Sequence, residues 1–374
     1  MPEDNLLMID SSEDNADLYF ATRFIAPDSF VFVRIRGKKY ILINDLEIDR
    51  AKKQARVDAV LSTSKLARAF KATTGRSPSL TDILGAFLKK KKVRDLLVPA
   101  NFQVQYCEPL KRAGFRIRYK PLPFCGGRIL KDRRELGAIR QALVATERAA
   151  GKAVQTLKKS VIRGNKLYFH GKPLTSEFLK TVIHRSLLED GCTGEHTIVS
   201  CGPQTVDPHH RGSGPLKAHQ PIVMDIFPRN DTTRYYADFT RTVVRGKASP
   251  RLKKIYAAVE AGQEIAFRMI RDSIDGKKVH DAIQEYFTGL GFRTGFMGGR
   301  AQGFFHSTGH GLGLEVHESP RIGRGSDVLK EGQVVTVEPG LYYKGTGGVR
   351  LEDVVVVTKK GCTNLTKFPK FLEI

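Results

Sequence analysis

The feature that most constrains this chain is a set of acidic residues embedded in strand-like apolar sequence in its C-terminal half. Asp225 ends the run PIVM, Asp238 lies in YYADFTRT, Glu338 follows VVTV, and Glu352 precedes DVVVV. An unpaired buried carboxylate is very costly, so it pairs with a cation, takes up a proton or binds a metal ion. Taken singly, each aspartate is better explained as a turn or salt-bridge residue. Four such carboxylates would repel one another strongly, whereas two divalent cations would neutralise them, so the set predicts a metal site.

A histidine-rich segment lies between the second and third of these acids. The segment FFHSTGHGLGLEVHESP contains His306, His310 and His317 with glycines between them. Imidazole is a common metal ligand and a common proton donor in active sites. A single histidine on an apolar face is usually a core residue, and a plain loop remains an alternative for this segment when it is considered alone.

The N-terminal part of the chain has the pattern of an α/β domain. Residues 28–44 alternate apolar and polar positions on either side of Gly37, which predicts a β-hairpin. Helical stretches near 46–58, 80–92 and 103–113 follow, and the strand RIRYK comes after them.

The prolines and glycines of YKPLPFCGGR indicate a domain boundary near 120–130. We therefore assign residues 1–125 to a first domain and 126–374 to a second, and 374 residues are enough for both. The second domain opens with two long helical patterns, and short apolar runs then surround helices near 250–272 and 277–290. The acidic residues of interest therefore belong to predicted strands.

The order Asp, Asp, His, Glu, Glu resembles the M24 metallopeptidase family of pita-bread fold. The strings that carry the resemblance are MDIFP, ADFTRT, HSTGHGLGLEVHESP, TVEPGLY and GVRLEDVVVV. The family includes methionine aminopeptidases, prolidases and aminopeptidase P, and the resemblance covers roughly residues 132–374. The N-terminal part is similar to the small α/β domain that prolidases, aminopeptidase P and creatinases share. The resemblance implies an α+β or α/β chain with a C-terminal pita-bread catalytic domain and a smaller N-terminal creatinase-like α/β domain.

The resemblance implies a dinuclear metal site with five ligands: Asp225, Asp238, His310, Glu338 and Glu352. Asp238 and Glu352 would bridge two divalent ions, for which Mn²⁺ or Co²⁺ suits an oxygen-rich set and Zn²⁺ is the alternative. A metal-bridging water would act as the nucleophile, and Glu338 would pass its proton to the leaving amine. Thr240 would orient a bridging carboxylate.

Three further histidines are expected to handle substrate. The resemblance assigns His306 and His317 to the scissile carbonyl and the tetrahedral intermediate. In DPHH, His209 is preferred over the adjacent His210 as the third member. Arg350 would support the last carboxylate or reach the substrate, and a purely structural ion pair is equally compatible with its position.

Two features depart from the family pattern. Asp238 comes thirteen residues after Asp225, slightly more than is usual, and Phe227 stands where a small residue commonly follows the first ligand. We therefore expect a longer hairpin between the two aspartates. Asp231, in the polar stretch RNDTTR, is the acid that competes with Asp225 as a ligand, although it lacks the strand context.

The resemblance implies a peptidase that cleaves Xaa-Pro bonds, of the aminopeptidase P or prolidase type, acting as a homodimer on peptides with proline at the second position. The alternatives are a creatinase-like hydrolase or lyase on the same fold and a basic binding protein of this fold. The chain has 62 Lys and Arg against 39 Asp and Glu, a net charge of +23, so nucleic acid remains an alternative partner.

Composition indicates a cytoplasmic protein without a membrane anchor. The first residues, MPEDNLLMIDSSEDN, lack the basic flank and apolar run of a secretory signal, and no apolar stretch is long enough to span a bilayer. Five scattered cysteines are an odd number without a CxxC pair, which is typical of reduced thiols.

Overall fold

A computed structural model describes residues 5–325 and 327–374 of this protein. The chain forms two compact units, of which the first ends at Arg128 and the second comprises Ile129–Ile374. Each unit contains its own hydrophobic clusters of buried side chains. No helix among the described residues has the length and apolar character that a membrane span requires.

The first unit is built on one six-stranded sheet with helices between its strands. Its strands are β1 (Leu6–Asp10), β2 (Phe30–Ile35), β3 (Lys38–Ile43), β4 (Ala59–Ser62), β5 (Asp95–Pro99) and β6 (Arg116–Lys120). Its helices are α1 (Ala16–Thr22), α2 (Ile48–Gln54), α3 (Thr63–Thr74), α4 (Leu80–Lys90) and α5 (Val104–Arg112). The strand order is β4-β3-β2-β1-β5-β6.

The predicted hairpin of residues 28–44 is confirmed as the antiparallel pair β2 and β3. Its turn residues Arg36 and Gly37 both have positive φ, 48° and 81°, as the tight turns that match strand twist require. The sheet is mixed, because β3 pairs with β4, and β5 with β1 and β6, in parallel. The α/β character expected for this part of the chain is therefore present.

The second unit contains longer helices and several small sheets. Its helices are α6 (Arg133–Lys159), α7 (Ser176–Glu189), α8 (Pro250–Met269) and α9 (Gly276–Gly289). Its first strands are β7 (Val161–Arg163), β8 (Lys166–Phe169), β9 (Lys172–Pro173), β10 (Cys192–Thr193), β11 (Ile198–Cys201), β12 (Ile222–Asp225), β13 (Arg229–Asn230) and β14 (Thr240–Val243). Its remaining strands are β15 (Gly295–Met297), β16 (Arg300–Gln302), β17 (Gly309–Gly311), β18 (Glu318–Ile322), β19 (Val334–Val337), β20 (Gly340–Tyr343), β21 (Gly347–Arg350), β22 (Asp353–Val357) and β23 (Cys362–Asn364).

Helix α6 begins because its first turn is fully capped. The Asp132 side chain accepts the backbone N–H groups of Arg134 and Glu135, and the Glu135 carboxylate accepts the N–H of Asp132 in return. The helix then buries a stripe of alanines that allows close contact with α7 and with the sheet of β11, β12 and β14. Helices α8 and α9 cover β19 and β22 in a second apolar cluster.

Two sheets bring the predicted ligands together. β11, β12 and β14 form one antiparallel sheet, and β18-β17-β19-β22-β23 form another. A bridge between Thr240 and Glu352 connects the first sheet to the segment that precedes β22. The unit thus directs strand ends from both sheets toward one place.

Two ligand segments differ from the expected local structure. Asp238 lies two residues before β14 instead of within a strand, and its carboxylate accepts the N–H of Phe239 at 3.0 Å. His310 lies in β17, so the glycine-rich segment around it is in part a strand. Gly309 and Gly311 allow this pairing, because a side chain at either position would collide with the neighbouring backbone.

Substitution of Gly212 can show how closely the loop that carries His209 packs against β11. Its φ is +79°, and an added Cβ would collide with the carbonyl oxygen of Val199. Gly214 also has a positive φ, +73°, but an added Cβ there meets nothing within 4 Å. We expect Gly214→Ala to cost about 1–2 kcal/mol for its backbone conformation, and Gly212→Ala to cost about 1–3 kcal/mol more for overpacking. Urea denaturation measures both, and equal losses would contradict the close approach.

Candidate metal centre

The structure brings the five predicted ligands to one buried place in the second unit. The Nε2 atom of His310 lies 3.6 Å from Oδ2 of Asp238 and 3.4 Å from Oε1 of Glu338. One ligand atom from each of Asp238, His310 and Glu352 falls within 4.8 Å of the others. Asp225, the last residue of β12, joins this group through Arg350, whose Nη2 donates to Oδ2 at 2.6 Å. The spacing allows one small cation or a pair of cations to contact several of these side chains.

The acids are held in an environment that opposes their negative charge. Burial, and next the negative charge of Glu352, raises the pKa of both Asp238 and Glu338 well above the ordinary range of carboxylic acids. Burial, and next the charge of Asp225, raises the pKa of Glu352 to about 8. Burial, and next the neighbouring His317, lowers the pKa of His310 to about 4. Arg350 pairs with Asp225, whereas the other three acids have no paired lysine or arginine among the described residues. The His310 imidazole is neutral and has a lone pair to donate.

Divalent metal ions fit these residues. Among the described residues, no lysine or arginine forms an ion pair with Asp238, Glu338 or Glu352. The buried Oδ1 of Asp225 likewise lacks a hydrogen-bond partner within the described residues. Carboxylate oxygens with one imidazole are donors that suit hard or borderline divalent ions. A cation would supply the missing partner of Asp225 and compensate the repulsion.

Thr240 and Arg350 orient two of the candidate ligands. The Thr240 hydroxyl donates to Oε2 of Glu352 at 2.8 Å, and it accepts from Nε of Arg350 at 3.2 Å. Through its ion pair with Asp225, the same guanidinium fixes a second carboxylate. The contacts of Arg350 are therefore those of a supporting residue, one of the roles considered from the sequence.

Tyr342 is a member of the site that sequence reasoning missed. Its hydroxyl accepts from Nη1 of Arg350 at 3.0 Å and lies 3.0 Å from Nε2 of His306. The Nδ1 atom of His306 lies 2.8 Å from the carbonyl oxygen of Ser307, which can only accept, so Nδ1 carries the proton. Tyr342 therefore donates to Nε2. Its place four residues after Glu338 in EPGLYY was a signal, but the sequence did not say which of the two tyrosines faces inward.

His306 is held neutral mainly by burial. Burial, and next the positive charge of Arg350, lowers the pKa of His306 to about 3. Both ring nitrogens have protein partners, Ser307 and Tyr342. His306 can therefore contact a substrate only by exchanging one of these partners.

The other two histidines expected to meet substrate are less constrained. The ring of His317 lies edge-on to His310, with centroids 4.4 Å apart. His210 is engaged in its own loop, because its Nδ1 accepts the N–H of Gly212 at 3.0 Å. The exposed ring of His209 makes no hydrogen bond to other described residues, and it lies within electrostatic reach of both His306 and His317. This geometry favours His209 over His210.

The segment that carries His317 is fixed by a buried ion pair. Nζ of Lys131 donates to Oε2 of Glu318 at 2.9 Å, and both side chains are almost fully buried. The other oxygen of Glu318 accepts the N–H of Glu315 at 3.1 Å. Because Glu318 follows His317 directly, these bonds restrict where that imidazole can lie.

The longer hairpin between the two aspartates is organised by Asn230. Its Oδ1 accepts the backbone N–H groups of Thr232 and Thr233, which closes a compact turn. Asp231 is exposed at this turn, where its carboxylate accepts from the hydroxyl of Thr193. The competing acid is thus engaged on the surface, whereas Asp225 lies buried in the cluster.

Comparison with known proteins identifies the family. The model of metallopeptidase family M24 matches residues 137–359, so the chain belongs to that family. A peptidase of Bacillus subtilis named YqhT is 43% identical over 141 residues, 37% of this chain and 38% of that protein. The Xaa-Pro dipeptidase of Pyrococcus horikoshii is 25% identical over 358 residues, 94% of this chain and 91% of that protein. The match spans 38% of YqhT, 47% of the Xaa-Pro dipeptidase of Pyrococcus furiosus and 60% of the probable dipeptidase PepE of Mycobacterium bovis, less than two thirds of each of these relatives.

Solved structures confirm the expected fold class. The X-Pro aminopeptidase of Thermotoga maritima superposes with a TM-score of 0.83 at 24% identity, covering 99% of this chain and 97% of that one. The prolidase of Pyrococcus horikoshii superposes with a TM-score of 0.79 at 24% identity, covering 99% and 95%. The second unit accordingly has the pita-bread fold.

Metal binding by the cluster can be measured without an activity assay. At a Mn²⁺ concentration 100 times the dissociation constant, a metal ion that binds only the folded state raises the free energy of unfolding by about 2.7 kcal/mol. The melting temperature rises with it. We expect Glu352→Gln to lose most of this rise, because a neutral amide is a weaker ligand. Asp231→Asn is the matched control and should keep it. Equal shifts in the two variants would contradict the site.

The role of Tyr342 can be separated from that of its neighbour. Tyr342→Phe leaves the buried Nε2 of His306 without its partner and removes one of the two acceptors of Nη1 of Arg350, which we expect to cost about 1–3 kcal/mol. Tyr343→Phe removes only a hydroxyl that donates to the carbonyl oxygen of Arg293, and about 1 kcal/mol is the expected loss. Urea denaturation of both variants gives the comparison, and a smaller loss for Tyr342→Phe would refute the network.

Proposed function

We propose that this protein is a metal-dependent peptidase that hydrolyses Xaa-Pro bonds with two divalent ions, Mn²⁺ or Co²⁺ before Zn²⁺. The observation that carries the proposal is the buried cluster of four carboxylates and one neutral imidazole, whose missing positive charge divalent ions would supply. Relatives named Xaa-Pro dipeptidase in Pyrococcus and Lactobacillus support the choice of bond. A homodimer is carried over from the family resemblance, and a cytoplasmic location is part of the proposal as well.

The ligands in this proposal are Asp225, Asp238, His310, Glu338 and Glu352. When bound, such ions lower the pKa of water and polarise a carbonyl group. Thr240 and Arg350 hold Glu352 and Asp225 in fixed orientations, so little reorganisation is needed when substrate arrives.

Glu338 is proposed to accept a proton from water and to donate it to the leaving proline nitrogen. Glu338 lies 3.4 Å from His310 within the cluster, so its carboxylate would stand beside a water held there and could accept a proton from it and later donate that proton. His317 and His209 are proposed to donate hydrogen bonds to the scissile carbonyl oxygen as negative charge develops. His306 is proposed to join them only after exchanging its bond to Tyr342.

The test is hydrolysis of Ala-Pro, Gly-Pro and a longer Xaa-Pro peptide by the Mn²⁺-loaded protein. We expect Glu338→Gln to lower turnover by about 100-fold or more, because the amide neither accepts nor donates that proton. Glu331→Gln, an exposed position in the same segment, is the matched control.

Two outcomes would overturn the proposal. Equal turnover by wild type and Glu338→Gln would reject the proton transfer. Hydrolysis of creatine without hydrolysis of any Xaa-Pro peptide would favour the creatinase-like alternative.

A further inference from the structure

Five of the six strands in the first unit begin at the same end of the sheet. β1 pairs with β5, β5 with β6 and β3 with β4 in parallel, and β2 is antiparallel to both β1 and β3. All strands except β2 therefore run in one direction. Helices α2, α4 and α5 directly precede β4, β5 and β6, so the C-terminal ends of these helices come to the end of the sheet where the strands begin.

The three helix ends bring six cations to this place. The last turns contain Lys52 and Lys53 in α2, Lys89 and Lys90 in α4, and Lys111 and Arg112 in α5, and all six are exposed. Cations at a helix C-terminus interact favourably with the helix dipole, which accounts for some of them. The dipole does not account for cations in the connecting segments, which belong to no helix.

The connecting segments and the start of β3 add six more cations at the same end of the sheet. The turn between β2 and β3 and the first residues of β3 contain Arg36, Lys38 and Lys39, and the link from α4 to β5 contains Lys91, Lys92 and Arg94. Lys39 and Lys91 are half-buried, and the other ten of the twelve cations are exposed. These twelve residues form a surface that we name the basic rim.

Few acids offset the charge of the basic rim. Among the described residues, the acids in or next to these segments are engaged: Asp49 with Lys52, Asp58 with the backbone N–H of Lys39, Asp95 with Arg116, and Glu108 with Lys111. When the neutral pair of Asp95 and Arg116 is left out, twelve cations against three acids leave a surplus of nine positive charges. Six strands about 4.8 Å apart make the rim about 24 Å long.

We propose that the basic rim binds the phosphate backbone of double-stranded nucleic acid without sequence preference. Duplex DNA carries one negative charge per about 1.7 Å of its axis, so a segment as long as the rim presents about 14 phosphates. Lysine and arginine contacts to phosphates hold a protein on a duplex without reading its bases. The proposal is independent of the peptidase function, because its residues all lie in the first unit.

The surroundings of the basic rim favour a duplex over a membrane or a single strand. Large exposed apolar side chains of the first unit lie at the other ends of its strands: Leu46 after β3, Val104 after β5, and Tyr119 and Leu122 at and after the end of β6. Among the described residues, the rim therefore lacks an apolar anchor for a bilayer. Tyr40 in β3 is half-buried, and Nζ of Lys91 lies 4.7 Å from the centroid of its ring, so this ring is covered as a platform for base stacking.

The test is fluorescence anisotropy of a labelled DNA duplex of about 20 base pairs with the full chain, at about 50 and 200 mM NaCl. Each phosphate contact contributes about −0.9 to the slope of log K against log salt concentration. The variant that combines Lys89→Gln, Lys90→Gln, Arg94→Gln and Arg112→Gln removes four exposed cations of the rim. We expect it to make the slope shallower by about 2–4 and to weaken binding at the lower salt concentration by about 10-fold or more.

The matched control removes the same charge from the second unit. It combines Lys159→Gln, Lys172→Gln, Lys254→Gln and Lys360→Gln, all at exposed positions. We expect this control to keep the slope and the affinity of the wild type. Circular dichroism melts of both variants check that they are folded, and Lys89→Arg with Lys90→Arg, which keeps the charge, should bind as the wild type does.

Three outcomes would overturn the proposal. The first is that the wild type does not bind the duplex at the lower salt concentration. The second is an equal loss in the rim variant and in the control, which would show that net charge alone is responsible. The third is tighter binding to phosphatidylserine vesicles, to polyglutamate or to a single strand of the same length. None of these measurements involves peptide hydrolysis, so this proposal and the peptidase proposal fail separately.

Discussion

The mutual repulsion of four buried carboxylates is the constraint on which the rest of the second unit depends. Each acid sits at or beside a strand end, where the backbone is fixed by pairing and the side chain cannot easily turn to solvent. Burial and neighbouring negative charge raise the pKa of three of them. A protein keeps such an arrangement only when something compensates it, because isolated buried charges are expensive. Membership of a metallopeptidase family and the chemistry of the donors agree that the compensation is metal.

A single guanidinium connects the acids to the surrounding fold. Arg350 ends β21 and reaches Asp225 at the end of β12, Thr240 at the start of β14 and Tyr342 in β20. Its contacts join four strands around the cluster, so a change in one strand is transmitted to the ligands of another. Burial and the nearby charge of Arg350 keep His306 neutral, and both of its ring nitrogens have protein partners.

The site also has an exposed side, which differs from the buried one in chemistry. His209 and His317 are exposed there. The buried side holds the carboxylates, and the exposed side presents imidazole groups. The buried side is closed in part by Arg350, whose guanidinium is enclosed by four acceptors from Thr240, Pro208, Tyr342 and Asp225.

The sequence by itself determined the type and order of the candidate ligands, because acids within or beside apolar strand-like runs are a local signal that needs no knowledge of the fold. The hairpin of β2 and β3 was predictable for the same reason. Only the tertiary structure shows that His210 is engaged within its own loop while the ring of His209 is exposed, and that Tyr342, not Tyr343, contacts Arg350. Neighbouring residues of the same type look equivalent in a sequence. Strand pairing and loop hydrogen bonds, which join residues far apart in the chain, determine which of them faces the site.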